Sequence, residues 1–176
     1  MGFEDPAMPG KEITAMSKLN PYEGFLQERA PEAVLAETPE ALALALEAIG
    51  PERLSVAPAP GKWSAAEIAC HLADCEMVFG FRLRQTLAEN SPTVQPFDQD
   101  KWAAAYPGIP AAQALATFTA LRQWNLRLIG ASLPAAADRP VIHPNIGALT
   151  FRILVETIAG HDLNHLAQLQ RLAAKG

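Results

Sequence analysis

Gly160-His161-Asp162-Leu163-Asn164-His165-Leu166-Ala167-Gln168-Leu169 is the stretch whose reading decides this chain. His161 and His165 stand four residues apart, so on a helix they share one face. They interrupt an apolar stripe, Leu154, Ile158, His161, His165, Leu169, Leu172, that repeats at helical spacing and predicts a helix from about Ala148-Leu149-Thr150 to Ala174. An imidazole buried on such a stripe must find partners. A second stretch carries a third ring. Ser64-Ala65-Ala66-Glu67 is a capping box that opens a helix, with Ile68, Leu72, Cys75, Phe79 and Leu83 as its apolar stripe and an end near Glu89-Asn90. His71 lies on that stripe between Ile68 and Cys75.

Two further helices complete the pattern. One is expected from Pro39 to Ile49, with Thr38 as its cap, Pro39 in the first turn and Gly50-Pro51 as its stop. A shorter helical piece around 21–36 precedes it. Another is expected from Ala111 to Ala131, with Leu115, Phe118, Leu121, Asn125 and Leu128 turned inward. Four amphipathic helices point to an all-α four-helix bundle. Between helices two and three runs a long connection, Ser91 to Pro110, with Pro92, Pro96, Pro107 and Pro110 and a short helix around Gln99 to Ala105. An antiparallel hairpin needs far less chain, so a crossover that leaves these two helices parallel is expected. Leu133 to Gly147 reads as irregular. Residues 1–18 read as a flexible lead-in and 19–176 as a single helical bundle domain.

Composition excludes several classes. With 176 residues, 49% hydrophobic and 19% charged, the chain has the length for one domain with its own core. Its net charge of -5 argues against nucleic acid, whose binding rests on basic residues. No apolar run is long enough to cross a bilayer, and the first residues carry no secretory h-region. Cys70 and Cys75 are five residues apart and point about 140° apart on a helix, so they do not bridge each other. A reduced, cytoplasmic setting follows.

The heights of the three rings are compatible with one centre. His71 lies about 10 Å into its helix, and His165 lies about 14 Å before the end of the last one, with His161 one turn further. On antiparallel helices these levels nearly coincide, and facing helices are where bundles build metal sites. Three histidines leave coordination positions open to water or substrate. His161-Asp162-Leu163-Asn164-His165 is not a zincin motif. Asp162 stands where that motif needs Glu, and no His, Asp or Glu follows His165. Around the triad, Glu76, Asp74, Asn125, Arg122 and His143 are candidate pocket residues. Arg122 is either a clamp for a substrate carboxylate or a surface arginine. Asp74 and Asp162 either orient the ligand histidines or lie on a solvated face. His143, before Pro144, is a loop residue or lines the pocket mouth. Cys75 is a small buried hydrophobe more simply than a thiolate ligand. Trp63 and Trp102 are candidates to frame the pocket, although Trp63 more simply staples the start of its helix, and Trp124 reads as a packing residue.

In Lys62 to Glu76, Phe97-Asp98-Gln99-Asp100-Lys101-Trp102, the segment from His143-Pro144 to Thr150, and Gly160 to Leu169, the chain resembles the DinB/YfiT-like family of metal-binding four-helix bundles. The resemblance spans roughly Pro39 to Leu172. It implies an up-down-down-up bundle with His71, His161 and His165 as ligands of one divalent ion (nickel, zinc or iron), and it implies a homodimer. Some such proteins are transferases or isomerases that use a low-molecular-weight thiol such as bacillithiol, mycothiol or glutathione, and others are described as metal-dependent hydrolases. The expectation is a metal-dependent enzyme acting on a small molecule or thiol, with no nucleic acid or membrane partner. The alternative is a non-catalytic metal or small-ligand binding protein of the stress response.

Overall fold

A computed structural model describes residues 19–174, and the lead-in expected over residues 1–18 lies outside the described residues. In chain order come α1 (Glu23–Leu26), α2 (Pro31–Ile49), a 3-10 turn (Pro51–Arg53), α3 (Ala65–Ala88), α4 (Gln99–Ala103), α5 (Ala111–Ser132), β1 (Pro140–His143), β2 (Gly147–Thr150) and α6 (Phe151–Ala173). Helices α2, α3, α5 and α6 form a four-helix bundle.

Its two core clusters give the directions. One end joins Leu42, Leu46, Leu72, Ala114, Phe118 and Leu169. The other joins Leu35, Phe79, Leu83, Ile129, Leu154 and Ile158. The first set takes the late residues of α2 and α6 but the early residues of α3 and α5. Helices α3 and α5 therefore run parallel to each other and antiparallel to α2 and α6, which is the up-down-down-up order. The crossover carrying α4 returns the chain from the end of α3 to the start of α5.

The first bundle helix departs from expectation. Instead of starting at Pro39, α2 begins with Pro31 at its first turn and continues through Pro39. Thr38 caps nothing and bonds back to the Val34 carbonyl at 2.8 Å. A proline inside a helix leaves the carbonyl four residues earlier without its donor. Here that carbonyl belongs to Leu35, and the Arg122 guanidinium donates to it at 3.0 Å. A side chain from α5 thus supplies the hydrogen bond that Pro39 cannot make.

Helix α5 is rotated from the expected face. Its buried residues are Ala111, Ala114, Phe118, Arg122, Asn125 and Ile129, while Leu121 and Leu128 are only half-buried. Trp124 does not pack inward: it is 64% exposed. The reason lies opposite Arg122. Its guanidinium is within 2.7 Å of Glu76 on α3 and 2.7 Å of Asp162 on α6. Asn125 donates to the Glu76 carboxylate at 2.9 Å and to its backbone carbonyl at 3.0 Å. The face is chosen by charge partners that a local hydrophobic pattern does not contain. Gly80 permits this close approach of α3 to α5, since a Cβ there would stand 2.6 Å from Asn125 Nδ2.

The stretch expected to be irregular contains a short antiparallel hairpin, with Val141 opposite Leu149 and His143 opposite Gly147. Ile142 also donates to the Pro92 carbonyl at 2.8 Å and accepts from Val94 at 2.9 Å, which ties the hairpin to the crossover. Because Gly147–Thr150 pairs with β1, α6 starts at Phe151 rather than near Ala148, with the Thr150 hydroxyl accepting from the Ile153 amide.

Arg122→Met tests the buried charge cluster. It leaves Glu76 and Asp162 buried without their cation, and losing one partner of a buried pair costs about 3–5 kcal/mol. Urea unfolding should show a loss of that size. A loss below about 1 kcal/mol, the scale of an exposed pair, contradicts the central role of this arginine.

Candidate metal centre

The capping box holds the start of α3 as expected: Glu67 N donates to Ser64 Oγ at 3.3 Å, and Ser64 N donates to Glu67 Oε2 at 2.7 Å. Two turns on, His71 turns inward. Helix α6 runs antiparallel beside it and brings His161 and His165 to the same level. His161 Nε2 is 3.1 Å from His71 Nε2 and 3.1 Å from His165 Nε2. One ligand nitrogen from each ring lies within 4.8 Å of the others. The rings are 1%, 5% and 6% exposed for His71, His161 and His165.

This donor set fits a divalent ion. Two imidazole nitrogens each about 2.1 Å from an ion, at an angle of roughly 95°, stand 3.1 Å apart. Protons alone account poorly for the cluster, because a neutral ring nitrogen offers either one hydrogen or one lone pair, and His161 Nε2 stands 3.1 Å from two other ring nitrogens. The His71 and His165 rings stay neutral, as ligands must. Burial, then His161 and His165, drive His71 far below the ordinary imidazole range. Burial and the neighbouring His161 lower His165 to about 3. An amide oxygen only accepts, so His165 Nδ1 donates to Gln168 Oε1 at 3.1 Å and turns the Nε2 lone pair toward the cluster.

Asp162 lies just outside the triad. Its Oδ1 is 3.9 Å from His161 Nδ1, while its Oδ2 meets Arg122 Nη1. That second contact is an ion pair at 2.7 Å rather than an aligned hydrogen bond, since Asp162 Oδ2 has no aligned donor among the described residues. Burial pushes the Asp162 carboxyl up, but Arg122 beside it holds it below the usual range. Burial likewise pulls the Arg122 guanidinium down, and Asp162 and Glu76 more than offset it.

The other residues singled out in the sequence fall in different places. Arg122 is neither a surface arginine nor a clamp open to a ligand: it is 1% exposed, its two terminal nitrogens are engaged by Glu76, Asp162 and Leu35, and its Nε has no hydrogen-bond partner among the described residues. Glu76 and Asn125 belong to the same buried cluster. Asp74 accepts from the Tyr106 hydroxyl at 2.8 Å and touches no triad ring by hydrogen bond. His143 stands on the hairpin, half-buried, lowered by burial and by Arg82. Arg82 follows His71 by three turns of α3, about 16 Å, so His143 belongs to the far end of the bundle. Cys75 comes close: its Sγ is 3.4 Å from His71 Nε2 and 3.9 Å from His161 Nε2. Trp63 packs over His71 with ring centroids 4.8 Å apart, and Trp102 instead packs on Phe97.

Two participants lack a mark in the sequence reading. Gln168 was legible, since it follows His165 at the i+3 spacing that shares a helix face. Tyr22 was not. Its ring meets His161 edge-on at 5.2 Å, and Gly160 permits this, because a Cβ there would stand 2.6 Å from the Tyr22 carbonyl.

Comparison with known proteins agrees with this geometry. The family model described as DinB superfamily matches residues 35–169. A protein of Oceanobacillus iheyensis named "Putative metal-dependent hydrolase" is 27% identical over 70% of this chain and 73% of its own length. One of Geobacillus thermodenitrificans with the same description is 28% identical over 80% of each chain. Among solved structures, YfiT from Bacillus subtilis, titled a "probable metal-dependent hydrolase with an unusual four-helix bundle topology", superposes with a TM-score of 0.75 at 22% identity, covering 95% of this chain and 91% of that one.

Purified protein should carry about one divalent ion per chain by elemental analysis, and His165→Ala should lose it. Gln168→Ala, which removes only the acceptor behind His165, should weaken metal binding by about 10–100-fold in a chelator competition. Unchanged affinity in both variants excludes His165 as a ligand.

Proposed function

The chain belongs to the DinB superfamily, and from that footing we propose that it is a divalent-metal-dependent enzyme of the hydrolase type, acting on a small molecule. The observation that carries this reading is the convergence of three imidazole Nε2 atoms from α3 and α6 on one point. His71, His161 and His165 would hold the ion. Nickel, zinc and iron suit an imidazole set better than calcium or magnesium, which take oxygen ligands. When bound, such an ion polarises an electrophile and lowers the pKa of a bound water or thiol.

The chain's own contribution is to position and to exclude. Gln168 fixes the orientation of His165, and Asp162 places a negative charge 3.9 Å from His161 Nδ1. Trp63 and Tyr22 wall the cluster off from bulk water, which strengthens the electrostatics inside. Glu76 and Asp162, the buried carboxylates of this region, are committed to Arg122 and do not serve as a free general base. Proton transfer therefore falls to solvent or to the substrate itself. The relatives' names favour water as the nucleophile, and a low-molecular-weight thiol is the alternative co-reactant. The deep burial of the triad favours one second reading, a non-catalytic metal binder.

The proposal extends to setting and assembly. Cys70 and Cys75 are both free thiols, in keeping with a reducing cytoplasm. Met77 and Phe81 on α3 and Trp124 on α5 are exposed. A second copy of the chain would cover them, and light scattering should report twice the mass of one chain, falling toward one in Phe81→Glu/Trp124→Glu.

Chelator-stripped protein reloaded with nickel, zinc or iron should hydrolyse members of a panel of activated esters, amides and lactones. The activity should vanish on stripping and in His71→Ala. Turnover that requires an added thiol moves the chain to the transferase class. Tight metal binding without turnover on either panel supports the binder.

A further inference from the structure

Arg82 on α3 is a buried guanidinium like Arg122, 6% exposed, but it is held quite differently. Its Nη2 donates to the Gln95 carbonyl on the crossover at 2.7 Å. Its Nε has no hydrogen-bond partner, and no carboxylate forms an ion pair with it among the described residues. Aromatic rings crowd it instead: the Phe79 ring centre lies 5.3 Å from its Cζ and that of Phe97 6.0 Å. Burial pulls this guanidinium down, and no carboxylate offsets the effect as Asp162 and Glu76 do for Arg122. A buried charge is costly without an opposite one. The Gln95 bond and the rings account for where Arg82 sits, but they answer neither its charge nor its Nε–H.

A second donor is brought to the same place. The hairpin joins the crossover where Ile142 bridges Thr93 in parallel register, so His143 comes alongside Val94 and next to Gln95. Alternation along β1 puts His143 on the face of Val141, which packs in one core cluster with Phe79 and Val94. His143 Nδ1 accepts from the Asn145 amide at 3.3 Å. Burial, then Arg82, keeps the ring below the ordinary imidazole range, so it is neutral at pH 7 and its one hydrogen is on Nε2. Gln95 and Pro96 of the crossover and Pro144 and Asn145 of the hairpin turn are exposed, so this corner opens to solvent.

We propose that Arg82 and His143 bind the carboxylate of a small molecule at a site separate from the triad, Arg82 through its charge and Nε–H and His143 through its Nε2–H. A carboxylate supplies the opposite charge and accepts both hydrogens. The two rings beside the guanidinium favour a flat carboxylate over a tetrahedral phosphate. Arg82 lies three turns of α3 from His71, about 16 Å, so the site stands whether or not the triad holds an ion.

The test is proton–nitrogen NMR of the arginine Nε–H groups in the full chain, with the Arg82 signal assigned through its own side-chain correlations, so that the first arm needs no variant. Succinate, the probe, should move this signal to saturation, while succinamide and sodium chloride at equal ionic strength should leave it in place. His143→Phe keeps a ring and removes the Nε2–H. It should weaken succinate binding by about tenfold, the scale of one hydrogen bond to a charged group. An Arg82 signal that succinate does not move, or that succinamide or sodium chloride moves as far, overturns the site. Movement with inorganic phosphate and none with succinate overturns the carboxylate assignment. Unchanged succinate affinity in His143→Phe overturns the role of His143.

Discussion

The buried guanidinium of Arg122 is the interaction on which the rest of this structure depends. From α5 it reaches the Leu35 carbonyl on α2, Glu76 on α3 and Asp162 on α6, so one side chain touches all four helices of the bundle. It lies at the level where the two apolar clusters meet, stacked over Phe118. A charge in such a place is tolerated only when paired and hydrogen-bonded, and each of its partners answers one of those needs. Three features follow from it: the proline tolerated inside α2, the rotation of α5, and the fixed position of α6 beside α3. Gly80 and Asn125 close the same cluster from the α3–α5 side.

This arrangement connects stability to the candidate metal centre. Asp162 faces Arg122 with one oxygen and the ring of the preceding His161 with the other. The cluster carries one cation against two carboxylates, an excess of negative charge in a low-dielectric interior next to three buried imidazoles. A divalent cation is the kind of guest such a place accepts. The same accounting explains why the acidic side chains near the triad are not available for acid–base work. They hold the bundle together, and chemistry at the centre is left to whatever the histidines bind.

Much of this was legible because it is local. The capping box at Ser64, the i,i+4 pair His161 and His165, and the stripe that includes His71 are relations within one helix turn or two, and the structure keeps them as read. The parallel course of α3 and α5 was legible from loop length, since about twenty residues suffice to return along the bundle. The readings that failed depend on partners distant in sequence. Pro39 looks like a helix start when its neighbours alone are considered, and becomes an interior residue once Arg122, far along the chain, supplies the missing bond. Leu121 and Leu128 look like core, and Arg122 and Ile129 take those places because Glu76 and Asp162 stand opposite. The hairpin before α6 escaped because its strands are four residues each, too short for an alternating pattern to stand out.

The sequence by itself determined a helical bundle, the spacing of three imidazoles on two apolar stripes, and an acidic net charge. These are consequences of helical periodicity and composition, which short range suffices to set. Only the tertiary structure decided that Arg122 is the charged centre of the core rather than a ligand clamp, that Tyr22 and Trp63 cover the triad, and that His143 stands apart from it. Each of these is a contact between helices or across a long loop. Such contacts depend on how the elements rotate and slide against one another, and that is fixed by the pairing of buried charges, which no periodicity within a single helix records.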